Sequence, residues 1–293
     1  MTRILDGKAT SLTIEEELSK VVQDRLNRGL KRPHLAAVLV GDNPASQAYV
    51  GHKVKACSRV GFESTLVDKP TSISQSELLR VVEELNKNSS IDGFIVQLPL
   101  PDHINDQEIL EAVLPTKDVD GFHPVNAGKM ALDLPCFLPA TPMGIMSLIE
   151  RAGIDTEGKH AVILGRSSIV GTPMALLLRR NNKPGNCTVT VCHSRTENLV
   201  EHTSRADILV AAIGRAHFVT SDMVKDGAVV IDVGINRIPD ESKKSGSRLT
   251  GDVDFESVAP KCSWITPVPG GVGPMTIASL MQNTLQACIK KDA

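Results

Sequence analysis

Apolar runs rich in β-branched residues alternate with amphipathic stretches along the chain, and this alternation predicts strands and helices in turn. HLAAVLV at 34–40 reads as a strand. A helical segment to about Val60 follows, then a strand in FESTLV, another helix, and a third strand in DGFIVQL at 92–98. The helix ends carry chemical signals. Asn43 offers a side chain to cap free amides, Pro44 is preset for a first turn, and Gly61 supplies a stop. Ser74 and Glu77 form a capping box that opens the next helix. Strand, helix, strand in this order predicts a parallel sheet covered by helices.

A second cycle begins near His160 with AVILG, a glycine-containing turn, a helix through LLLRRN, TVTVC, a short helix, DILVAAIG and AVVIDVGI. The expectation is an α/β protein of two doubly wound parallel-sheet domains, the second Rossmann-like and dinucleotide-binding. Between the cycles, the proline-rich stretch from Asp133 to Pro142 has little period and marks the domain change, with a helix from Met143 to Ala152 behind it. A last helix, Thr276 to about Ile289, has no strand to follow it and is expected to return to the first domain. The boundaries on this reading are 1–140 with 275–293, and 141–274.

Composition narrows the function classes. Thirty-two Lys and Arg against 34 Asp and Glu leave no net field to draw the whole molecule to nucleic acid or an anionic membrane, so any anion site is local. No apolar run approaches the roughly 20 residues that span a bilayer, and the start MTRILDGKAT lacks the apolar stretch of a secretory signal. The six cysteines are scattered without a CxxC pair or a His/Cys ligand spacing, which argues against a zinc site and a disulfide framework. A cytoplasmic protein with reduced thiols and no metal is expected.

After AVILG comes Gly165-Arg166-Ser167-Ser168-Ile169-Val170-Gly171 and then an apolar helix. Glycines at such a turn let the backbone approach a pyrophosphate, and the amides and dipole at the helix start stabilise its charge. The spacing is not GxGxxG, and a plain tight turn fits it equally. The next strand, TVTVC, runs into His193-Ser194-Arg195-Thr196, where a dinucleotide fold meets the adenosine ribose. Cations and hydroxyls suit a ribose 2'-phosphate where a carboxylate would suit a bare ribose, so Arg195, Ser194 and Arg166 favour NADP. Glu197 nearby keeps NAD open.

In the first cycle, Tyr49 and Lys53 stand four apart on a predicted helix and share a face with Val50 and Cys57. Partial desolvation there lowers a lysine pKa, the property a catalytic lysine needs, although a snorkelling surface pair also has this spacing. Gln97 ends the strand DGFIVQL, at the carboxyl end where open sheets bind ligands, and needs a polar partner; an amide capping the loop is the bland alternative. In Lys117-Asp118-Val119-Asp120-Gly121, Asp120 suits a polar heterocycle held by paired hydrogen bonds, and Asp118 suits bracing of the turn. Pro267-Val268-Pro269-Gly270-Gly271-Val272-Gly273-Pro274-Met275-Thr276 reads as a shaped loop fit for a flat ligand, or as a connector.

Together these segments resemble the bifunctional methylenetetrahydrofolate dehydrogenase and methenyltetrahydrofolate cyclohydrolase family. ASQAYVGHKVKAC, DGFIVQLPLP, KDVDGFHPVNAGKM, PATPMGI, GRSSIVGTPMALLL, VTVCHSRT, VIDVGIN, GDVDF and TPVPGGVGPMT occur in order over nearly the whole chain. The resemblance implies NADP-dependent oxidation of 5,10-methylenetetrahydrofolate and hydrolysis of the methenyl product to 10-formyltetrahydrofolate, the one-carbon supply for purine biosynthesis, by a homodimer. It implies that Lys53 is the acid-base group of hydrolysis, that Gln97 bonds and tunes it, that Tyr49 packs on the folate and that Asp120 binds the pterin-like ring. Pro269, Gly270, Gly271, Val272 and Pro274 would line the folate pocket, while Gly165, Arg166, Ser167, Gly171, Ser194, Arg195 and Ile235 would meet the dinucleotide. One departure is Ala140, where some members have cysteine before the Thr-Pro-x-Gly turn. The nearest enzyme rival is a dehydrogenase of another small substrate on a similar two-domain plan, such as shikimate dehydrogenase, against which the set Tyr49, Lys53, Gln97 and Asp120 argues. Within the family, the rival is a dehydrogenase without hydrolase activity, or one that uses NAD.

Overall fold

The structure is a computed structural model that describes residues 1–243 and 246–292. The chain runs β1 (Arg3–Ile4), α1 (Gly7–Asn27), β2 (His34–Val40), α2 (Pro44–Val60), β3 (Glu63–Lys69), α3 (Gln75–Lys87), β4 (Gly93–Val96), α4 (Asp106–Ala112), α5 (Pro124–Ala131) and α6 (Ala140–Arg151). It continues through β5 (His160–Leu164), α7 (Gly171–Leu178), β6 (Thr188–Cys192), α8 (Leu199–Thr203), β7 (Ile208–Ala211), β8 (Val229–Asp232), β9 (Asn236–Pro239), β10 (Ser247–Thr250), α9 (Phe255–Val258), β11 (Trp264–Ile265) and α10 (Val272–Asp292). Two compact units result: Leu12–Ala140 with Ile277–Ala293, and Met1–Ser11 with Thr141–Thr276. Among the described residues no helix is long and apolar enough to cross a membrane.

The first of these units is built on a parallel three-stranded sheet in the order β3-β2-β4. Leu35 to Val40 are buried, as both faces of a central strand require. The core on one side gathers Val38, Leu78, Val82, Phe94, Val96 and Ile109. The helix signals act as expected. Asn43 accepts the amides of Ala45 and Ser46, Gly61 closes α2 at φ 80°, and Ser74 with Glu77 forms both halves of a capping box; such caps are each worth about 1 kcal/mol. In α10, Asn283 donates from Nδ2 to the carbonyls of Val119 (2.8 Å) and Leu138 (2.9 Å), which ties the C-terminal helix to the turn that carries Asp120.

The other unit holds a parallel six-stranded sheet in the order β1-β11-β8-β7-β5-β6, plus the antiparallel pair β9 and β10. β5 lies between β6 and β7, so the chain reverses direction across the sheet at β5, the switch point at whose carboxyl side open sheets bind ligands. Residues 1–11, expected with 12–140, cluster with this unit because β1 pairs in parallel with β11, Arg3 opposite Trp264 and Ile4 opposite Ile265. Two helices also begin earlier than their periodicity indicated. α6 starts at Ala140 rather than Met143, and α10 at Val272 rather than Thr276. In both cases a proline sits within the first turn, Pro142 or Pro274, where its missing N–H costs nothing.

Candidate active site

In the unit of 12–140, three elements converge on one lysine. α2 presents Lys53, which is 5% exposed, the loop after β4 presents Gln97, and the turn after α4 presents Asp120. Lys53 Nζ donates to Gln97 Oε1 at 3.1 Å, and Gln97 Nε2 donates to the carbonyl of Leu98 at 2.7 Å. The ammonium also lies 5.5 Å from the centre of the Tyr49 ring, a cation–π approach from one turn earlier on the same helix. Burial pulls the Lys53 pKa below its ordinary value, and the charge of Asp120 offsets part of that fall. Asp120 is shifted the other way. Desolvation raises its carboxyl above the usual range, with Lys53 opposing and Asp118 reinforcing the rise. The snorkelling alternative for Lys53 is thus set aside.

Asp118 does the bracing expected of it. Its carboxylate accepts the amides of Phe122 (3.1 Å) and His123 (2.8 Å) and the side chain of Asn126 (2.8 Å). Gly121 at φ 75° lets the turn pass against the backbone of Leu138 and Pro139, where a Cβ would meet the Leu138 carbonyl carbon at 2.5 Å. Asp120 is fixed by these two neighbours rather than by its own side chain. One turn beyond Lys53, the thiol of Cys57 is buried and pushed up to about 12, which leaves it un-ionised and outside the acid-base chemistry. None of the six cysteines, all among the described residues, is in a disulfide.

The 267–276 segment belongs to the other unit. Its loop is shorter than the sequence suggested, because Val272, Gly273 and Pro274 already lie in α10. The Val272 side chain is 3% exposed and packs with Leu5, Ile145 and Ile163, so its bulk serves the core; Pro269 is exposed and Gly270 carries φ 105°. The Gly270 carbonyl accepts from Lys8 N at 2.8 Å, and the backbone of Gly7 closes on Gly271 so tightly that a Cβ there would sit 1.8 Å from its carbonyl oxygen.

Outside the carboxyl ends of β5, β6 and β7 lies a cavity of about 290 Å³. Gly165, Arg166 and Ser194 line it as anticipated, while Ser167, Gly171, Arg195 and Ile235 are not among its walls. Gly165 at φ 116° is needed, since a Cβ would strike the Ala212 carbonyl oxygen at 2.2 Å. Ser167 Oγ accepts the amides of Val170 (3.2 Å) and Gly171 (3.3 Å), which fixes the loop that leads into α7. Glycine cradle, cations and a cavity at the switch point fit a dinucleotide. A larger cleft of about 360 Å³ opens at the opposite, amino ends of the strands, but its charges face each other, as Lys225 and Asp207 do at 2.6 Å.

The sequence reading assigned no role to Asp252, although GDVDF was noted. It is fully buried, and its carboxylate accepts the successive amides of Ile213 (2.8 Å), Gly214 (3.0 Å) and Arg215 (2.8 Å) together with Asn236 Nδ2 (2.9 Å). The loop after β7 is shaped by this one residue. Asp232 supports it in turn by accepting the amides of Asp252 and Val253 at 2.9 Å each; burial pushes Asp232 up to about 6. The available signal was an aspartate in each of two apolar segments, VIDVGIN and GDVDF, since buried carboxylates must find donors.

Two family patterns cover most of the chain. Tetrahydrofolate dehydrogenase/cyclohydrolase, catalytic domain, matches residues 5–120, and the NAD(P)-binding domain of the same description matches residues 139–292. The chain is 62% identical over 289 residues to the bifunctional protein FolD of Cytophaga hutchinsonii, covering 99% of this chain and all of that one. Among solved structures it is similar to the bifunctional FolD enzyme of Campylobacter jejuni, with a TM-score of 0.93, 49% identity and coverage of 99% and 100%. It is also similar to a Trypanosoma brucei methylenetetrahydrofolate dehydrogenase-cyclohydrolase solved with NADP and an inhibitor, with a TM-score of 0.94, 36% identity and coverage of 99% and 98%.

Proposed function

The chain belongs to the tetrahydrofolate dehydrogenase/cyclohydrolase family, and from that premise we propose which of its residues perform the two reactions. The protein is a bifunctional enzyme: it oxidises 5,10-methylenetetrahydrofolate to the methenyl form with NADP, then hydrolyses that product to 10-formyltetrahydrofolate. The observation that carries the residue assignment is the buried Lys53 bonded to Gln97 beside Asp120.

NADP, when bound, supplies the two-electron acceptor for the one-carbon bridge. Arg166, Ser194, Arg195 and the O–H of Ser167 hold its phosphates, and Gly165, Gly171 and Ile235 give it backbone and apolar contact. Hydrolysis is the work of the other unit. The neutral amine of Lys53 takes a proton from water as the water oxygen bonds to the methenyl carbon; a proton reaches N5 as the C–N5 bond breaks, and one proton per turnover is left for solvent. Gln97 orients the amine without adding charge. Asp120 bonds the polar edge of the pterin-like ring and Tyr49 packs on its face; a role for Pro269, Gly270, Gly271, Val272 and Pro274 toward the folate is supported by the family resemblance alone. Residues 12–140 with 277–293 form the folate-binding catalytic domain on this reading, and 1–11 with 141–276 the NADP-binding one. A cytoplasmic homodimer belongs to the same reading, supported by the family resemblance.

The test is NADPH absorbance with methylenetetrahydrofolate, run in parallel with NAD, followed by decay of the methenyl product. NADP-dependent oxidation and accelerated decay are expected. Oxidation with NAD alone, or decay at the uncatalysed rate, overturns the corresponding half.

A further inference from the structure

The loop after β7 contributes Arg215 to the switch-point cavity, and nothing in the reaction outlined above uses it. Three observations give this side chain a place. Its backbone amide is one of the three held by the buried Asp252 carboxylate, so the point at which the side chain leaves the loop is fixed. Its guanidinium lies 4.6 Å from the centre of the Phe218 ring, and both residues line the cavity. Of the other walls, Leu164, Cys192, Leu199, Ala212 and Ile213 are apolar, and Gly165, Arg166, His193 and Ser194 complete the lining.

A cavity with apolar walls and a planar cation backed by an aromatic ring suits a flat, electron-rich heterocycle better than a phosphate. A guanidinium stacked on one face keeps its other face for a second π-system, which an ammonium cannot do. The cavity also borders Ser194, at the end of β6, where the adenosine ribose of a dinucleotide fold is met. We propose that Arg215 is an adenine-binding residue, its guanidinium sandwiched between the Phe218 ring and the base of the nucleotide. The inference rests on the assignment of this unit to NADP and deepens it, because it separates recognition of the base from recognition of the 2'-phosphate by Arg166 and Arg195.

The test is equilibrium binding by calorimetry of NADP and of 5'-AMP, which carries the base without a 2'-phosphate, to wild type, Arg215→Ala and Arg215→Lys. Arg215 is exposed, so both variants are expected to fold, and unchanged far-UV circular dichroism checks this. Loss of one stacking partner weakens both nucleotides about fivefold in both variants. Restoration by lysine, or a loss with NADP that is absent with 5'-AMP, overturns the proposal, because charge rather than the plane then acts. Unchanged affinities in variants of a wild type that binds NADP also refute Arg215 alone; a wild type that binds neither nucleotide refutes the dinucleotide assignment itself.

Discussion

Gln97 turns its carbonyl oxygen toward Lys53 because its own amide is committed elsewhere: Nε2 donates to the Leu98 carbonyl at 2.7 Å, which leaves Oε1 to accept from Lys53 Nζ at 3.1 Å. The lysine therefore has a neutral acceptor that tolerates either protonation state. Gln97→Glu replaces it with an anion, which favours the charged ammonium and raises the Lys53 pKa. The hydrolysis rate of the methenyl compound at neutral pH is expected to fall by about tenfold or more, part of the roughly 10²–10⁴-fold that acid-base catalysis contributes, and to recover in part as pH is raised. A rate equal to wild type at neutral pH would show that the charge state of Lys53 is irrelevant.

Asp120 and Lys53 shift each other in opposite senses, and this fixes a direction for pH dependence. The Asp120 charge raises a lysine pKa that burial has lowered. Asp120→Asn removes the raising influence, so the Lys53 pKa falls further and more neutral amine is present at lower pH. The acid limb of the normalised hydrolysis profile should move to lower pH, whatever the drop in absolute rate from lost ring binding. A limb that moves upward contradicts the coupling.

How much of this was legible in the sequence differs between elements for physical reasons. β2, α2 and the cap at Ser74 were readable because periodicity, capping residue and stop residue agree at each. Lys53 and Gln97 were readable as candidates, but their meeting depends on β4 pairing alongside β2, with Ala37 opposite Ile95, a contact no local pattern encodes. α1 escaped although Ile14, Leu18 and Val22 recur every four residues, and with it the pairing of β1, two residues too short to show alternation. Asp252 escaped because its work is done on backbone amides 37 to 39 residues away in sequence.

Asp232 gives the NADP-side unit its own pH response. Its folded pKa of about 6 stands above the ordinary 3.8 of an unfolded chain. Between those values the native state keeps a proton that the unfolded state has released, so stability falls as pH rises through that window, by about 3 kcal/mol for a shift of this size. Urea unfolding followed by the single tryptophan, Trp264, which lies in this unit, measures it. Relative to Asp232→Asn, wild type should lose stability from pH 4 to pH 7. Parallel curves for the two proteins contradict the assignment.

The central claim is that a buried amine on α2 performs hydrolysis independently of nucleotide binding by the other unit. Lys53→Met keeps the length and apolar character of the side chain while removing its nitrogen, so the local packing should hold. The deciding measurement is decay of methenyltetrahydrofolate with this variant, alongside calorimetric titration with NADP. Decay at the uncatalysed rate with NADP affinity unchanged is the expected result; catalysed decay that survives the substitution would contradict the account.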